Sequence, residues 1–323
     1  PITTLSHINT YLVKGDNGYL LVDTGWNTEE AFASLKKQLA EIGISGQDIS
    51  RIVVTHTHPD HYGMAGKLRP LFSATLYFHH LEKDVIESRY VNMDELLKEL
   101  SQWLHINGVP PDRLAELQKA SLPMLKFVTP TMPDITLYGG ETITIGDFSF
   151  NVLPTPGHAP GHICLYEPDK KILFSGDHVL PTITPNVGMH PQSGSNPLGD
   201  YLDSINSLKR LDVDLVLPGH EQPFTGFQER IESITLHHSL RNAEIVAALG
   251  YASKTAFQLT TEITWLHDVN GVGWYKLGTW DKRMAILETL AHLEAMRAKG
   301  ELEKFTREDI LYYRLPKKAK TSE

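Results

Sequence analysis

The sequence predicts an α/β protein with a larger N-terminal domain, residues 1–225, and a smaller C-terminal domain, residues 226–323. Two observations predict this organisation. Short apolar runs typical of strands alternate with helical patterns in the first part, and the second part is mainly helical. A chain of 323 residues is also longer than one hydrophobic core usually organises.

The elements of the first half can be assigned in chain order. TYLVKGDNGYLLVDTG predicts a hairpin, because two apolar runs flank a GDNG turn. NTEEAFASLKKQLAEIG has apolar residues at helical spacing, and Gly43 ends the pattern. RIVVT and ATLYFHH follow as short buried strands. Residues 81–128 have an irregular helical pattern and predict a helical insertion over one face.

Strand patterns then return before the C-terminal helices. ETITIGDFSFNVLPT and HICLYEPDKKILFSG each predict a hairpin, and LVLPGH closes the series of strands. Beyond residue 226, two helical stretches are predicted, and the second, DKRMAILETLAHLEAMRAKG, has the pattern of an amphipathic helix. The stretch ELEKFTREDILYYRL could form a two-stranded wing.

Composition excludes some classes of function. The net charge of −9 argues against a protein that binds nucleic-acid phosphates generally. No apolar stretch has the length of about 20 residues that a membrane span needs, and no secretory signal is visible. The single cysteine, Cys164, rules out an internal disulfide framework. We therefore expect a cytoplasmic protein with a small-molecule substrate.

The stretch THTHPDH, residues 55–61, is the strongest chemical signal. His56 and His58 follow a buried strand and lie two residues apart, so in an extended segment they point the same way and can hold one ion. Asp60 and His61 follow as the chain turns into a helix, and their changed direction suits a second ion. Imidazole and carboxylate groups suit Zn²⁺ and also iron or manganese.

Further motifs resemble the metallo-β-lactamase-fold hydrolase superfamily, and especially its branch of glyoxalase II and β-lactamase-like protein 2. The chain carries, in order, VDTG, HTHPDH, PTPGHAPGH, FSGDH and LPGH. The similarity covers roughly residues 5–225. It implies an αββα sandwich, in which two mixed sheets pack face to face between helices. It also places two metal ions at one edge of the sheets, with Zn²⁺ favoured.

The resemblance implies a role for each motif residue. Asp177 would bridge the two ions, and Asp23 would support the loop that carries the ligands. Whether His162 and His178 contribute is left open. The first ion would be held by His56, His58 and His158, and the second by Asp60, His61 and His220.

The predicted chemistry is hydrolysis of an ester, thioester or lactone of a small metabolite by a hydroxide held between the metals, with Asp60 orienting it and accepting its proton. Alternatives are an endoribonuclease acting on single-stranded RNA, a weak β-lactamase and a non-hydrolytic regulator. The C-terminal part resembles the winged-helix-like domain of β-lactamase-like protein 2. It could shape the substrate entrance or support a homodimer.

Overall fold

The computed structural model describes residues 7–265 and 272–317. The chain divides into two compact units. The first unit comprises Pro1–Met93, Leu122–Pro185 and Asp200–Ser233, and the second comprises Asp94–Ser121, Asn186–Gly199 and Ile234–Glu323. Both units are discontinuous in sequence. The simpler domain boundary between residues 225 and 226 stays a prediction.

A mixed five-stranded sheet forms one half of the first unit. Its order is β1-β2-β3-β4-β5, with strands β1 (Tyr11–Gly15), β2 (Gly18–Val22), β3 (Ile49–Val53), β4 (Thr75–His79) and β5 (Ile135–Leu137). The predicted GDNG hairpin is confirmed, since β1 and β2 pair antiparallel. The pairs β2–β3, β3–β4 and β4–β5 are parallel.

A second mixed sheet forms the other half of this unit. Its order is β10-β9-β8-β7-β6, with strands β6 (Thr142–Ile145), β7 (Phe148–Pro154), β8 (Ile163–Glu167), β9 (Ile172–Gly176) and β10 (Leu215–Pro218). The two predicted hairpins, β6–β7 and β8–β9, are both antiparallel pairs. Only the β9–β10 pair in this sheet is parallel.

Apolar side chains of the two sheets share one core. Leu20 and Val53 of the first sheet lie in the same buried cluster as Phe150 and Leu165 of the second. A second cluster lies between the first sheet and helices that follow β2 and β3, and includes Leu39, Ile52 and Leu68. Burial on this scale is the main favourable term in folding. The α/β fold with two mixed sheets and helices is confirmed.

Eleven α-helices connect and cover the strands in the described ranges 7–265 and 272–317. Those before residue 126 are α1 (Glu29–Glu41), α2 (Pro59–Tyr62), α3 (Ala65–Phe72), α4 (His80–Ile86), α5 (Asp94–Ile106), α6 (Pro111–Gln118) and α7 (Leu122–Leu125). A π-helical segment, Glu87–Val91, follows α4 directly. The later ones are α8 (Pro197–Leu208), α9 (Phe227–Leu249), α10 (Ala256–Glu262) and α11 (Thr279–Ala298). None of these helices is long and apolar enough to cross a bilayer.

The second unit contains α5, α6, α10, α11, the larger part of α9, and two small hairpins. One hairpin pairs β11 (Thr264–Trp265) with β12 (Val272–Gly273), and the other pairs β13 (Glu303–Arg307) with β14 (Ile310–Arg314). The second hairpin is the two-stranded element predicted for residues 301–315. Its assignment to a winged-helix domain stays a prediction.

Helix α11 differs from the amphipathic helix that its pattern predicted. Polar residues Thr289, His292 and Glu294 are buried together with its apolar residues. They tolerate burial because each has a partner: His292 Nδ1 lies 2.6 Å from the Asn242 side-chain oxygen, and the Tyr313 hydroxyl donates to Glu294. The helix is therefore enclosed on several faces, and its polar residues do not mark a solvent side.

The core assignment predicts a large difference between two isoleucines. Ile52 on β3 is fully buried, whereas Ile42 at the end of α1 is exposed. We expect Ile52→Ala to lower the free energy of unfolding by about 2–5 kcal/mol, because it leaves a cavity between sheet and helices. Ile42→Ala should change it by less than about 0.5 kcal/mol. Urea denaturation of both variants measures the difference, and equal losses would contradict this core.

Candidate metal centre

The segment after β3, a loop followed by α2, carries four of the predicted site residues. His56 and His58 lie on this loop, and His58 keeps an extended backbone at φ −66° and ψ 151°. Pro59 then occupies the first position of α2, where its missing N–H costs nothing. Asp60 and His61 lie on α2 itself, so the change from extended chain to helix redirects their side chains. The local conformation expected from the sequence is confirmed.

The other four predicted residues follow other strands. Asp23 comes directly after β2, Asp177 after β9 and His220 two residues after β10, while His158 lies on the loop between β7 and β8. Strands β2 and β3 are parallel, and so are β9 and β10. The carboxyl ends of each parallel pair therefore lie at the same edge of their sheet. This topology brings together residues that are far apart in sequence.

Three imidazole nitrogens form a first cluster. His58 Nδ1 lies 2.9 Å from His56 Nε2 and 3.0 Å from His158 Nε2. One nitrogen from each of the three residues lies within 4.8 Å of the others. His56 is fully buried, and the other two are partly exposed. The cluster offers three nitrogen donors to one cation, as catalytic zinc sites with three histidine ligands do.

A second cluster contains Asp60, His61 and His220. The Asp60 carboxylate lies 3.2 Å from His220 Nε2 and 4.0 Å from His61 Nε2. Asp177 lies against both clusters, because its oxygens are 3.2 Å from His61 Nε2, 3.4 Å from His220 Nε2 and 3.6 Å from His158 Nε2. The structure thus brings all seven predicted ligand residues together. Which ion each residue holds stays a prediction.

Hydrogen bonds behind the rings fix their donor atoms. The His220 Nδ1–H donates to the backbone carbonyl of His7 at 2.8 Å, so His220 Nε2 is the ring nitrogen that faces the cluster. His61 Nδ1 lies 2.8 Å from an oxygen of Asp23, a partner that only accepts when ionised. Its Nε2 is therefore the atom left for a ligand role. Outer hydrogen bonds of this kind orient metal-binding histidines in many proteins.

Asp23 also acts on the loop after β3, as predicted for it. Its carboxylate accepts from the Thr55 backbone N–H at 2.8 Å and from the Thr55 hydroxyl at 3.0 Å. The Thr55 oxygen lies 3.1 Å from His56 Nδ1 and can accept from it, which leaves His56 Nε2 for the cluster. One carboxylate thus orients two histidines. Asp23 itself has φ 61°, a left-handed conformation that Asp adopts more readily than most residues.

Burial lowers the pKa of two histidines of the first cluster, His56 and His58. Burial, followed by the neighbouring histidines, holds the pKa of His56 well below its usual range. The pKa of His58 is lowered by burial, then by His158 and by the positive charge of Arg89. At neutral pH these imidazoles are therefore neutral. A neutral imidazole is the form that binds a metal ion.

In the second cluster, the carboxylates raise the pKa values of both histidines when no cation is bound. Burial lowers the pKa of His61, but Asp177, Asp23 and Asp60 outweigh it and raise this pKa well above its usual range. For His220, burial is likewise outweighed by Asp177 and Asp60, and its pKa is raised to about 10. The pKa of Asp177 is lowered by His61 and His220 against the effect of burial. Protons thus supply the positive charge that these carboxylates require.

Three buried atoms in the clusters support a cation in this place. His61 Nε2, His220 Nε2 and Asp177 Oδ1 are inaccessible to solvent and have no hydrogen-bond partner within residues 7–265 and 272–317. A buried polar atom without a partner is costly. A divalent cation would satisfy all three, because each is a nitrogen or oxygen donor that Zn²⁺, iron or manganese accepts. The residues therefore fit the group that the motifs imply.

Glycine is required where the β10 loop approaches the clusters. A Cβ on Gly219 would lie 2.5 Å from Asp177 Oδ1 and 2.6 Å from His61 Cε1. Any side chain here would displace these two residues. The glycine of LPGH therefore keeps space for them beside His220.

Two further histidines of the motifs lie behind the clusters. His162 is fully buried, with Nδ1 2.8 Å from the Thr155 hydroxyl and Nε2 accepting from the Asp177 backbone N–H at 3.1 Å. It therefore supports the Asp177 loop from outside. His178 is also fully buried and packs against the Tyr201 ring, so it does not face an open pocket. Thr55 was missed by the sequence analysis, although it adjoins the histidine motif.

The fold and the paired histidine–aspartate clusters together define a metal-binding α/β sandwich hydrolase. A model of the metallo-β-lactamase superfamily matches residues 3–220. The chain therefore belongs to the metallo-β-lactamase superfamily, and its clusters are typical of the dinuclear metal site of that family. It is a metal-dependent hydrolase of this superfamily.

Similar proteins agree with this membership. The chain is 28% identical over 316 residues to the probable metallo-hydrolase YqjP of Bacillus subtilis, covering 95% of this chain and 93% of that protein. It is 29% identical over 234 residues to the human acyl-coenzyme A thioesterase MBLAC2, covering 67% of this chain and 74% of that protein. A solved metallo-beta-lactamase family protein from Thermus thermophilus, TTHA1429, has a TM-score of 0.80 at 29% identity, covering 95% of this chain and 93% of that one.

The shifted pKa values predict that His56 and His58 are neutral and His220 is protonated in metal-free protein. At pH 8 we expect His56 and His58 to be neutral and His220 to be protonated, because its pKa is raised to about 10. An ordinary imidazole, with a pKa near 6.5, would be neutral at pH 8. The raised pKa also adds stability below the unfolded value, and this stability is lost as the pH rises through about 10.

Imidazole nitrogen resonances in chelator-treated protein check this expectation. A His220→Ala variant assigns the resonance that stays protonated at pH 8. The expectation is wrong if His220 titrates near 6.5 in metal-free, folded protein.

Proposed function

We propose that this protein hydrolyses thioesters of small metabolites with two divalent cations. The observation that carries the proposal is the position of Asp177, whose oxygens lie within 3.6 Å of donor atoms from both clusters. A carboxylate shared by two clusters suits a pair of ions better than a single ion. Paired ions are the usual means by which such sites activate water.

Each cluster residue has a role in this proposal. His56, His58 and His158 would hold the first ion, and Asp60, His61 and His220 would hold the second. Asp177, which lies against both clusters, would be shared between the two ions. Asp23 orients His61 directly and His56 through Thr55. We favour Zn²⁺ because five of the seven donors are imidazoles, and iron and manganese are alternatives.

When bound, the two cations lower the pKa of a water molecule toward neutrality and polarise a carbonyl oxygen. Asp60 then has a second task. Its side chain is 19% exposed, whereas those of His61 and His220 are 0% and 3% exposed. The substrate and water therefore meet Asp60 before the histidines behind it. Its carboxylate orients the attacking water and accepts the proton that the water loses.

The thioester is favoured among carbonyl substrates by the similarity to a protein named as an acyl-coenzyme A thioesterase. That similarity spans 234 residues, or 67% of this chain. Esters and lactones undergo the same attack, so they belong in the same test. The acidic net charge of −9 disfavours a single-stranded RNA substrate.

The proposal also covers the domains, the cellular location and the oligomeric state. Residues 1–225 form the catalytic domain, and residues 226–323 form a winged-helix-like domain, supported by α11 and the β13–β14 hairpin. The only cysteine, Cys164, is fully buried, and burial raises its pKa to about 12. A chain with one buried thiol and no disulfide suits the cytoplasm. We also propose that the C-terminal domain supports a homodimer.

A substrate panel with matched variants tests the function. Zinc-loaded protein should hydrolyse acyl thioesters faster than esters, lactones and β-lactams. Asp60→Asn should lower kcat by about 10²–10⁴-fold, because the amide cannot accept the proton. His58→Ala should lose activity together with bound metal. The control is Asp169→Asn, an exposed position in the β8–β9 turn at the opposite end of β9 from Asp177.

Turnover unaffected by both Asp60→Asn and His58→Ala would reject the proposed mechanism. The RNA alternative is distinguished by salt. Cleavage of single-stranded RNA should weaken steeply between 50 and 200 mM salt, as about 10³-fold losses are common for multiple phosphate contacts. Thioester hydrolysis should change little over the same range.

A further inference from the structure

A buried carboxylate outside the two clusters connects the loops that carry the first one. Glu82 lies on α4 and is fully buried. Its Oε2 accepts from the Thr57 backbone N–H at 2.9 Å and from the Thr57 hydroxyl. Its Oε1 accepts from the Gly161 backbone N–H at 2.9 Å. One side chain therefore bridges the loop after β3 and the loop between β7 and β8.

The two anchored residues are close in sequence to the first cluster. Thr57 stands between His56 and His58, and Gly161 follows His158 by three residues. Because side chains alternate along extended chain, Thr57 points away from the side on which both histidines lie. Holding Thr57 from behind therefore fixes the direction of the ring on each side of it.

Other contacts complete the hold on Thr57. The Tyr90 hydroxyl donates to the Thr57 backbone carbonyl, so the N–H, the hydroxyl and the carbonyl of this residue all have partners from the segment 80–91. Arg89 Nη1 lies 3.9 Å from Glu82 Oε2, which offsets the buried negative charge.

The contact with the second loop requires a glycine. A Cβ on Gly161 would lie 2.8 Å from Glu82 Cγ and 2.9 Å from the Glu82 backbone nitrogen. Helix α4 therefore touches the backbone of the β7–β8 loop directly. The carboxylate reaches both loops only because position 161 has no side chain.

We propose that Glu82 is a positioning residue that sets the metal affinity of the cluster of His56, His58 and His158. Within the described parts of the chain, Glu82 contacts Thr57, Gly161 and Arg89 through hydrogen bonds and an ion pair, and none of these residues belongs to the second cluster. The second cluster is held instead by Asp23 and the His7 carbonyl. The effect of Glu82 is therefore confined to one of the two ions. The inference rests on the proposed function only in treating this cluster as a metal site.

The substitution Glu82→Gln tests this role with little change in shape. Both backbone partners of Glu82 are N–H donors, and a glutamine has one acceptor oxygen and one NH₂ group. The NH₂ group must face either Thr57 N–H or Gly161 N–H, so one loop loses its anchor. Loss of such supporting hydrogen bonds typically weakens metal binding about 10–100-fold.

The Zn²⁺ affinity of each cluster is measured separately, in a variant that lacks one ligand of the other cluster. In His220→Ala, the cluster of His56, His58 and His158 remains complete, and Glu82→Gln should raise its Kd for Zn²⁺ about 10–100-fold. In His158→Ala, the cluster of Asp60, His61 and His220 remains, and Glu82→Gln should leave its Kd unchanged. Competition with a chromophoric chelator gives both constants. Glu87→Gln, an exposed position in the adjoining π-helical segment, should change neither.

Each outcome decides the inference. Unchanged Zn²⁺ affinity in His220→Ala would overturn it, and so would an equal loss in both backgrounds, which indicates general destabilisation. If Glu82→Gln does not fold, Thr57→Val takes its place, because it removes the hydroxyl contacts with Glu82 and Arg89 and keeps the backbone N–H bond to Glu82. That variant should weaken Zn²⁺ binding in His220→Ala and not in His158→Ala, and no effect in either would equally overturn the inference.

Failure of the proposed function gives a different pattern. A wild-type protein that binds two Zn²⁺ ions but hydrolyses no thioester rejects the function and leaves the selective effect of Glu82 measurable. A wild-type protein that turns over thioesters while Glu82→Gln binds Zn²⁺ normally rejects only the role of Glu82.

Discussion

The site depends on holding nitrogen lone pairs against one another. His58 Nδ1 lies 2.9 and 3.0 Å from the donor nitrogens of His56 and His158, and burial keeps His56 and His58 neutral. His58 Nδ1 carries at most one proton and can donate to only one of these two nitrogens, so the other contact needs a proton or a cation between its two atoms. The arrangement therefore persists only if each ring is held from behind. The contacts of Thr55, Thr57 and Gly161 with Asp23 and Glu82 supply that restraint.

The fold supplies the restraint by placing loops on rigid strands. Strands β3, β8 and β9 are buried along much of their length, so their ends cannot shift without disturbing the shared core. Each sheet contributes a parallel pair, and the loops that leave these pairs carry Asp23, the histidine motif, Asp177 and His220. A purely antiparallel sandwich would send alternate strand ends to opposite edges. The mixed topology is thus what allows distant motifs to form one site.

The residues alone predicted those site side chains whose orientation depends on their immediate neighbours in the sequence. His56, His58, Asp60 and His61 were found because strand and helix periodicity alone fix their directions. Asp177 and His220 required similarity to a family, since only tertiary structure brings them to the same edge.

Glu82 gave no signal in the sequence, because it is one of several acidic residues in a helical stretch and its partners, Thr57 and Gly161, lie 25 and 79 positions away. Helix α11 differs from the predicted amphipathic helix for a related reason. Its buried polar residues have partners on α9 and β14, which periodicity does not reveal.

With two divalent cations bound, four positive charges would face three carboxylates, Asp23, Asp60 and Asp177, while the imidazoles stay neutral. The cations would thus carry one positive charge more than these carboxylates, and a bound hydroxide would balance it, within a chain of net charge −9. In the proposed function, the cations would stabilise the oxyanion that develops as water attacks a carbonyl.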